Sequence, residues 1–381
     1  LKVAHLTITF ARGGRREAIA SLARGTRALG VENHLCTLDA LDADEKLLSD
    51  CFVATRELRR RGAFDRSAWR ALADFVREHE IDIVHAHDAA SQFAASVALP
   101  LRRPSLIMTF HRSSDVESKS ARDRLRNALA ALRCSAVVTA SNERRRHFLA
   151  CNRVPARKLV VIPFGTDVDR FAPSATARQL ALAALGLAED RRLIGVVGHF
   201  GSDKGVDIAI QAFLLAARDP ALDQHVLCVL GEGDADQQRR IEALANDEFG
   251  DRIRFLGFRN DTERWFPAFD VLLHGARREA FGLVIIEAMA CAVPVVATPV
   301  GGIPELVVDG STGRLAAVAT PEALARALRE TLADEAARLR MAAAARRRAT
   351  GEYSRMRCAE RHLALYRSLV GPAARIVQSS T

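Results

Sequence analysis

From one end almost to the other, the chain alternates between short β-branched apolar runs and longer Ala/Leu/Arg-rich stretches of helical period. Runs such as "LKVAHLTITF" at 1–10 and "VPVVAT" at 293–298 lack the polar–apolar alternation of a strand with one wet face, so they read as strands covered on both faces. Strands are expected at 2–10, 33–38, 82–86, 105–110, 135–140 and 158–162, and in a second series at 192–198, 225–231, 253–257, 270–273 and 294–298. Amphipathic stretches at 15–29, 67–79, 205–218 and 236–248 fall between them. Such alternation forces parallel sheets wrapped in helices, an α/β fold. Two series predict two Rossmann-like doubly wound domains with a cleft between them, and 381 residues suffice for two cores. "PFGTDVDRFAPSA", 163–175, carries two prolines and a glycine and reads as the linker. The expected domains are 1–170 and 171–355, with 356–381 a C-terminal helix and tail crossing back to the first.

Composition narrows the function classes. No apolar run is long enough to span a membrane, and the first ten residues read as a strand rather than a signal peptide. The seven cysteines are scattered, odd in number and without a CxxC pair, which favours reduced thiols in a cytoplasmic protein over a zinc or disulfide scaffold. Residues 1–171 hold 29 Lys/Arg against 20 Asp/Glu, whereas 172–381 hold 26 of each. The excess in one half points to an anionic membrane surface, a nucleic acid or an acidic substrate there, or to a merely solvated basic face.

In open parallel sheets, ligands bind beyond the carboxyl ends of the strands, so residues just after strands are the candidates. "FARGGRREA" follows the first strand. Gly13 and Gly14 allow close backbone approach to a ligand, though any tight strand-to-helix turn needs such glycines. "VVGHFGSDKGVDIAIQAF" opens the second series, and its Gly195, Gly198, Gly201 and Gly205 loosen the backbone. Lys204 stands at a helix start, against the helix dipole unless an anion lies between, which suggests a phosphate site. His85, His87 and Asp88 end one strand and His111 the next. The histidines read better as substrate contacts than as core or metal ligands, since no further ligand cluster stands out. DxD triplets at Asp42/Asp44, Asp167/Asp169 and Asp234/Asp236 fall in turns and read as structural. "EAFGLVIIEA" sets Glu279 just before a helix and Glu287 near its end, about 12 Å of helical rise apart. The two acids either grip opposite ends of one extended ligand, or are a helix-start acid and a solvated side chain.

Taken in order, these motifs resemble the family-4 retaining glycosyltransferases of the GT-B fold, the group 1 glycosyltransferases. The resemblance runs through "GGRREAIASLARGTRALG", "DIVHAHD", "TFH", "LVVIPFGTDVDRF" and "DKGVDIAIQAF" to the most specific stretch, "EAFGLVIIEAMACAVPVVATPVGGIPELVVDGSTGRL". It implies a nucleoside-diphosphate sugar donor, a glycan or lipid-linked acceptor on the first domain, and no metal cofactor. Glu279 would contact the donor sugar, Glu287 the ribose, Lys204 the diphosphate, and backbone N–H groups of Phe281, Gly282 and Leu283 the sugar and diphosphate. Gly13 or Gly14 would close over the diphosphate, and His111 would stand beside the sugar. Gly198 is followed by His199 where the family usually has arginine. Either Arg12, Arg15 or Arg16 supplies that cation, or His199 binds protonated, or diphosphate binding is weaker. Phe164 replaces the asparagine of the usual linker motif, a change expected to affect the hinge rather than the chemistry.

The stretch "SARDRLRNALAALRC", 120–134, puts Ala121, Leu125, Ala128, Leu129 and Leu132 on one helical face ringed by Arg122, Arg126 and Arg133. It is either a core-packed helix with a basic outer face or one that rests on anionic lipid. Without aromatic interleaving, nucleic acid is not the expected partner. Rival readings are a nucleotide-sugar epimerase, a phosphorylase-type enzyme on the same architecture, and a binding protein that has lost catalysis.

Overall fold

The computed structural model describes residues 1–62, 64–100, 103–111, 130–152, 154–245 and 249–371. They form two compact units, one of Leu1–Gly165 together with the chain from Arg355, the other of Thr166–Ser354. The first holds a parallel sheet of β1 (Lys2–Phe10), β2 (Glu32–Leu41), β3 (Ala54–Glu57), β4 (Ile83–Ala86), β5 (Ser105–Thr109), β6 (Ala136–Thr139) and β7 (Leu159–Val161), in the order β3-β2-β1-β4-β5-β6-β7. The second holds β8 (Arg192–Val197), β9 (His225–Leu230), β10 (Ile253–Gly257), β11 (Val271–His274), β12 (Val295–Ala297) and β13 (Gly313–Leu315), in the order β10-β9-β8-β11-β12-β13. In each sheet the chain winds outward from its first strand and then returns to wind the other way. The switch points therefore lie between β1 and β4 and between β8 and β11, where a parallel sheet leaves a crevice.

Period two decides which face each core residue serves. Val3, Ile83, Ile107 and Val138 pack with Cys358, Leu363 and Tyr366 of the helix Arg355–Val370. Ala4, Leu6, Val84 and Met108, one residue out of phase, pack with Leu72 and Phe75 of the helix Arg66–Glu78. In the second unit, Ile194, Val196, Leu227 and Val229 pack with Ile210 and Phe213 of Val206–Ala216 and with Leu324 and Leu328 of Pro321–Ala333. Each large apolar side chain so buried contributes about 1.5–3 kcal/mol. The C-terminal helix also lies tightly on the helix Gly14–Ala28, where a Cβ on Gly25 would come within 2.7 Å of Ala359 Cβ.

Differences from the sequence-based expectation are local. The edge strands β3 ("ATRE") and β13 ("GRL") carry no apolar run and are not foreseen. The helix expected at 236–248 begins under an Asp234–Gln237 capping box and ends at Glu242. Gly195 does not loosen a loop; it lies in β8 beneath Phe269, whose ring would be 2.3 Å from a Cβ there. Asp44 and Asp234 cap helices and Asp167 accepts from Asp169 and Arg170 N–H, so the DxD triplets include cap and turn residues. Most of 120–134, including Arg122 and Arg126, lies outside the described residues. At its described end Leu132 is 53% exposed, Ala130 and Ala131 are buried, and Arg133 donates to the carbonyls of Leu99 and Pro100. Among the described residues no helix is long and apolar enough to cross a membrane.

Candidate functional site

In the second unit the turn after β8 meets the loop after β11. Gly205 has φ +57°, and a Cβ on it would lie 1.9 Å from the Gly275 carbonyl oxygen, so only glycine lets the two segments touch. The loop is then clamped. Backbone N–H groups of Arg277 and Arg278 donate to the Asp203 carbonyl. The Arg278 guanidinium holds the Asp203 carboxylate at 2.9 and 3.2 Å, and that of Arg277 holds Asp207 at 2.7 and 2.5 Å. Two-pronged pairs of this kind fix orientation as well as distance. The clamp delivers Glu279 to Lys204, whose Nζ donates to Glu279 Oε2 at 2.7 Å.

Glu279 is 6% exposed. Burial pushes its carboxyl up, but Lys204 and His274 outweigh that and hold it down at about 2. It is therefore a carboxylate at neutral pH. His274, the last residue of β11, places Nε2 3.4 Å from the same oxygen without forming a well-aligned hydrogen bond. This pair revises the argument from the helix dipole. The anion beside Lys204 is Glu279, so the lysine at a helix start does not by itself call for a phosphate. Lys204 is nonetheless 39% exposed in its side chain, and only one of its three N–H donors goes to Glu279.

Glu279 is followed by the N-cap Gly282, φ +106°, and the helix Leu283–Ala290. An α-helix leaves its first backbone N–H groups without intrahelical partners, and Leu283 occupies such a position. Phe281 points its ring into the core, edge-on to Tyr353, so its backbone alone can meet a ligand. Glu287 is half-buried about one turn along the helix. On the other side, Gly198 donates its N–H to Leu230 O. His199 is exposed and its Nδ1 accepts the Gly201 N–H at 2.9 Å. In that position the ring hydrogen belongs on Nε2, and an imidazolium would set N–H against N–H.

In the first unit, Gly13 adopts φ +133° at the turn from β1 into the helix Gly14–Ala28, with nothing within 4 Å of a Cβ built there. Backbone conformation, not crowding, asks for glycine. Asp88 is a structural hub: it caps Ala89–Ala98 through Ser91 N–H, and accepts Ile8 N–H, Thr7 Oγ1 and Arg15. Arg15 is thereby engaged, and Arg16 pairs with Glu17.

The expectation for His85 and His87 is overturned. They are 0% and 1% exposed, out of reach of a substrate. Parallel register sets His85 of β4 beside His5 of β1, and His87 N–H extends the ladder to Leu6 O, so all three rings share a face. Their nitrogens lie within 4.8 Å of one another, a cluster hidden in sequence because His5 sits inside an apolar strand. The rings lie side by side, with interplanar angles of 22° and 28°. His85 uses both nitrogens, on Tyr366 OH at 2.8 Å and Thr109 Oγ1 at 2.7 Å. His111, half-buried after β5, reaches this group through Nε2, 2.9 Å from His87 Nδ1. Its ring lies flat on Phe164, centroids 5.0 Å apart at 9°. The linker phenylalanine thus touches a candidate site residue.

Two parallel sheets, each with a switch point, one ending in an ion pair beside a helix start and the other in a row of imidazoles, define a two-domain α/β protein of the doubly wound class. Family models agree on both parts: Glycosyltransferase Family 4 matches residues 12–170 and Glycosyl transferases group 1 matches 178–348. The chain belongs to the group 1, family-4 glycosyltransferases. It is 35% identical over 221 residues to a D-inositol 3-phosphate glycosyltransferase of Xylanimonas cellulosilytica, covering 55% of this chain and 52% of that one. It is 33% identical over 241 residues to the lipopolysaccharide core biosynthesis mannosyltransferase LpcC of Rhizobium leguminosarum bv. viciae, covering 61% and 65%. Alignment thus spans roughly half to two thirds of these curated relatives' length. Among solved structures, Anabaena Alr3699/HepE in complex with UDP-glucose superposes with TM-score 0.81 at 23% identity over 96% of this chain and 98% of that one. WaaG, a glycosyltransferase involved in lipopolysaccharide biosynthesis, superposes with TM-score 0.69 at 23% identity over 99% and 100%. These likenesses establish the GT-B fold.

Proposed function

We propose that the protein moves a hexose or N-acetylhexosamine from a nucleoside-diphosphate sugar to an acceptor hydroxyl with retention of configuration. The observation that carries this reading is the clamped Lys204–Glu279 pair at the carboxyl ends of β8 and β11, next to the start of the helix Leu283–Ala290. Cleaving a sugar–diphosphate bond builds negative charge on the departing phosphate. A lysine held close by and a helix start bind that charge more strongly as it develops, which lowers the barrier. Glu279, ionised and rigid, accepts hydrogen bonds from sugar hydroxyls, and Glu287 accepts from ribose. Tied to Lys204, Glu279 is a positioning acid and not a nucleophile, in keeping with same-face attack assisted by the leaving phosphate. Lys204 and the helix start supply the positive charge a metal would otherwise bring, so activity is expected to survive excess EDTA.

The name of the mannosyltransferase relative supports a sugar donor of hexose type and an acceptor in envelope glycan, lipopolysaccharide or glycolipid synthesis, and the UDP-glucose complex of a like-folded protein supports the donor class. The basic excess of residues 1–171 suits a cytoplasmic enzyme lying on an anionic membrane surface. A second reading, a binding protein without turnover, draws on His199, which offers the diphosphate no fixed cation. A thermal-shift screen of nucleotide sugars tests the donor, since a ligand of the folded state raises apparent stability. Release of nucleoside diphosphate with and without acceptor then separates the two readings. If no nucleotide sugar stabilises the chain and none is consumed, the proposal fails.

A further inference from the structure

At the charged strand end, the proposed chemistry leaves His274 unused. Its backbone is fixed by the sheet: β11 and β12 pair in a register that sets His274 beside Ala297, and the His274 carbonyl accepts the Thr298 N–H at 3.1 Å. The residue is 3% exposed, and Nε2 is buried without a hydrogen-bonding partner. Buried polar nitrogens are normally satisfied, so one that is not calls for an explanation. Nε2 stands 3.4 Å from Glu279 Oε2, the oxygen that already takes Lys204 Nζ at 2.7 Å. That separation is about 0.5 Å longer than a usual N–H···O hydrogen bond. Glu279 is ionised and offers lone pairs only, so the nitrogen facing it carries its hydrogen, whether the ring is neutral or protonated. A donor therefore waits beside an oxygen that another donor holds.

We infer that His274 is a positioning residue held in reserve for Glu279: when an anion draws Lys204 Nζ away, Nε2–H closes on Oε2 and keeps the buried carboxylate partnered and in place. Of the two ion-pair members, Lys204 is the one free to leave. Its side chain is 39% exposed against 7% for Glu279, and two of its three N–H donors are not spent on the pair. Glu279 cannot follow. The Arg277 and Arg278 pairs hold its loop from one side, and the turn after β12 holds it from the other. There Gly302 N–H donates to the Glu279 carbonyl at 3.1 Å, and a Cβ on Gly301 would lie 1.9 Å from the same oxygen. An anion competing for Lys204 would otherwise strand a buried charge and so oppose its own binding. His274 removes that penalty. The ligand class is a phosphoryl anion that reaches both Lys204 and the start of Leu283–Ala290, with pyrophosphate as a small representative. That this anion is the diphosphate of a sugar donor rests on the proposed function, whereas the reserve role does not depend on it.

A double-mutant cycle on the full-length protein tests the reserve without any ligand. In the wild type Lys204 holds Glu279, so His274→Leu removes only a spare donor. In Lys204→Met the histidine is the remaining donor among the described residues, and removing it leaves the carboxylate with none. The fall in Tm caused by His274→Leu is therefore expected to be larger by about 4 °C or more in the Lys204→Met background. Equal falls in the two backgrounds overturn the reserve. Titration calorimetry with pyrophosphate reads the handover. His274→Leu is expected to weaken binding about tenfold, whereas His274→Gln, whose amide can donate to the same oxygen, stays within about threefold of wild type. Wild-type affinity in a folded His274→Leu would mean that Lys204 serves the anion without leaving Glu279, and overturns the handover. A wild type that does not bind pyrophosphate overturns the handover together with the phosphate site at Lys204, and the cycle still decides the reserve. If the Leu variants do not fold, nitrogen-15 spectra of the histidine-labelled wild type decide. His274 is expected with hydrogen on Nε2 and with a shift towards a stronger hydrogen bond when pyrophosphate is added. An Nε2 without hydrogen, or a resonance that does not move at saturation, overturns the proposal.

Discussion

At the carboxyl ends of β8 and β11 the converging side chains are charged, and at those of β1 and β4 they are neutral, although both pairs flank the switch point of a parallel sheet. The charged end needs a counter-ion and a scaffold. Glu279 can be buried only because Lys204 meets it, and the Arg277–Asp207 and Arg278–Asp203 pairs hold the loop that carries it. The histidine row needs neither, because a neutral ring can be buried at the cost of finding donors and acceptors in the right order. One end is held together by charge and the other by hydrogen-bond direction. They should therefore fail differently: the first to loss of charge at constant shape, the second to loss of a donor or acceptor at constant charge.

The largest expected effect follows from removing charge. Lys204→Met keeps the length of the side chain and should lower kcat/KM for the nucleotide sugar by about 10²–10³, the usual cost of losing one preorganised group that stabilises developing charge. It also leaves Glu279 buried without its partner. Breaking a fully buried pair costs roughly 3–5 kcal/mol, and here the cost should be smaller because Lys204 is 39% exposed. Steady-state kinetics with thermal melts check both. Turnover within a few-fold of wild type would mean that charge at this strand end is not what the enzyme uses.

Next in size is Glu287→Ala. If Glu287 holds ribose, free nucleotide and nucleotide sugar should lose the same roughly 1.5–3 kcal/mol, or about 10- to 150-fold in affinity, measured by titration calorimetry. A loss confined to the sugar nucleotide would move Glu287 from the ribose to the sugar. Unchanged affinity in a folded variant would return it to a solvated helix residue.

Acid should separate the two ends more gently. His5 is held at about 4, below its ordinary 6.5, so between these values the unfolded chain binds more protons than the folded one. Its contribution to stability is complete above 6.5 and is lost as pH falls towards 4. Glu279, held at about 2 from an ordinary 4.5, contributes fully above 4.5 and loses that contribution as pH falls through 2. The first unit is therefore expected to weaken at milder acidity than the second. The chain has two tryptophans, Trp69 in the first unit and Trp265 in the second, so Trp265→Phe and Trp69→Phe each leave one unit reporting its own unfolding. Coincident acid transitions in the two variants would erase the distinction.

How much of this could be read from the letters differs between the same two ends. The parallel strands announce themselves because burial on both faces demands continuous apolar runs, and Glu279, Lys204 and His111 stand out as polar residues directly after them. What does not stand out is pairing. Lys204 and Glu279 are 75 positions apart, and nothing local says that one neutralises the other. Arg277 and Arg278 look like solvated charges until Asp203 and Asp207 are seen opposite them. His5 and Asn33 are two among several polar letters in β1 and β2, and their meaning depends on the register that sets His5 beside His85. Tyr366 reaches His85 only because the last helix joins the first unit. Position along a strand is local physics and is legible, whereas register and return of the chain are global and are not.

The smallest expected effect falls on His199, where the two chemistries would meet if it worked as an imidazolium in the charged unit. A diphosphate ligand there would want hydrogens on both ring nitrogens, and donor binding would strengthen as pH falls below neutrality. The geometry argues the other way. Nδ1 already accepts the Gly201 N–H at 2.9 Å, so protonation would break a bond that shapes the turn leading to Lys204, and the ring would have to rotate to be useful. As an exposed donor through Nε2, with Nδ1 taken by the Gly201 N–H, His199 adds at most one ordinary hydrogen bond to a ligand, worth about 0.5–1.5 kcal/mol. His199→Ala should therefore weaken nucleotide-sugar binding by no more than about tenfold. His199→Arg, which restores a fixed cation, should bind more tightly than either at every pH. Titration calorimetry of the three proteins at three pH values decides it. A wild-type affinity that climbs towards pH 6 while the Arg variant stays level would show that the ring turns and charges, and that charge reaches further along this strand end than the Lys204–Glu279 pair alone.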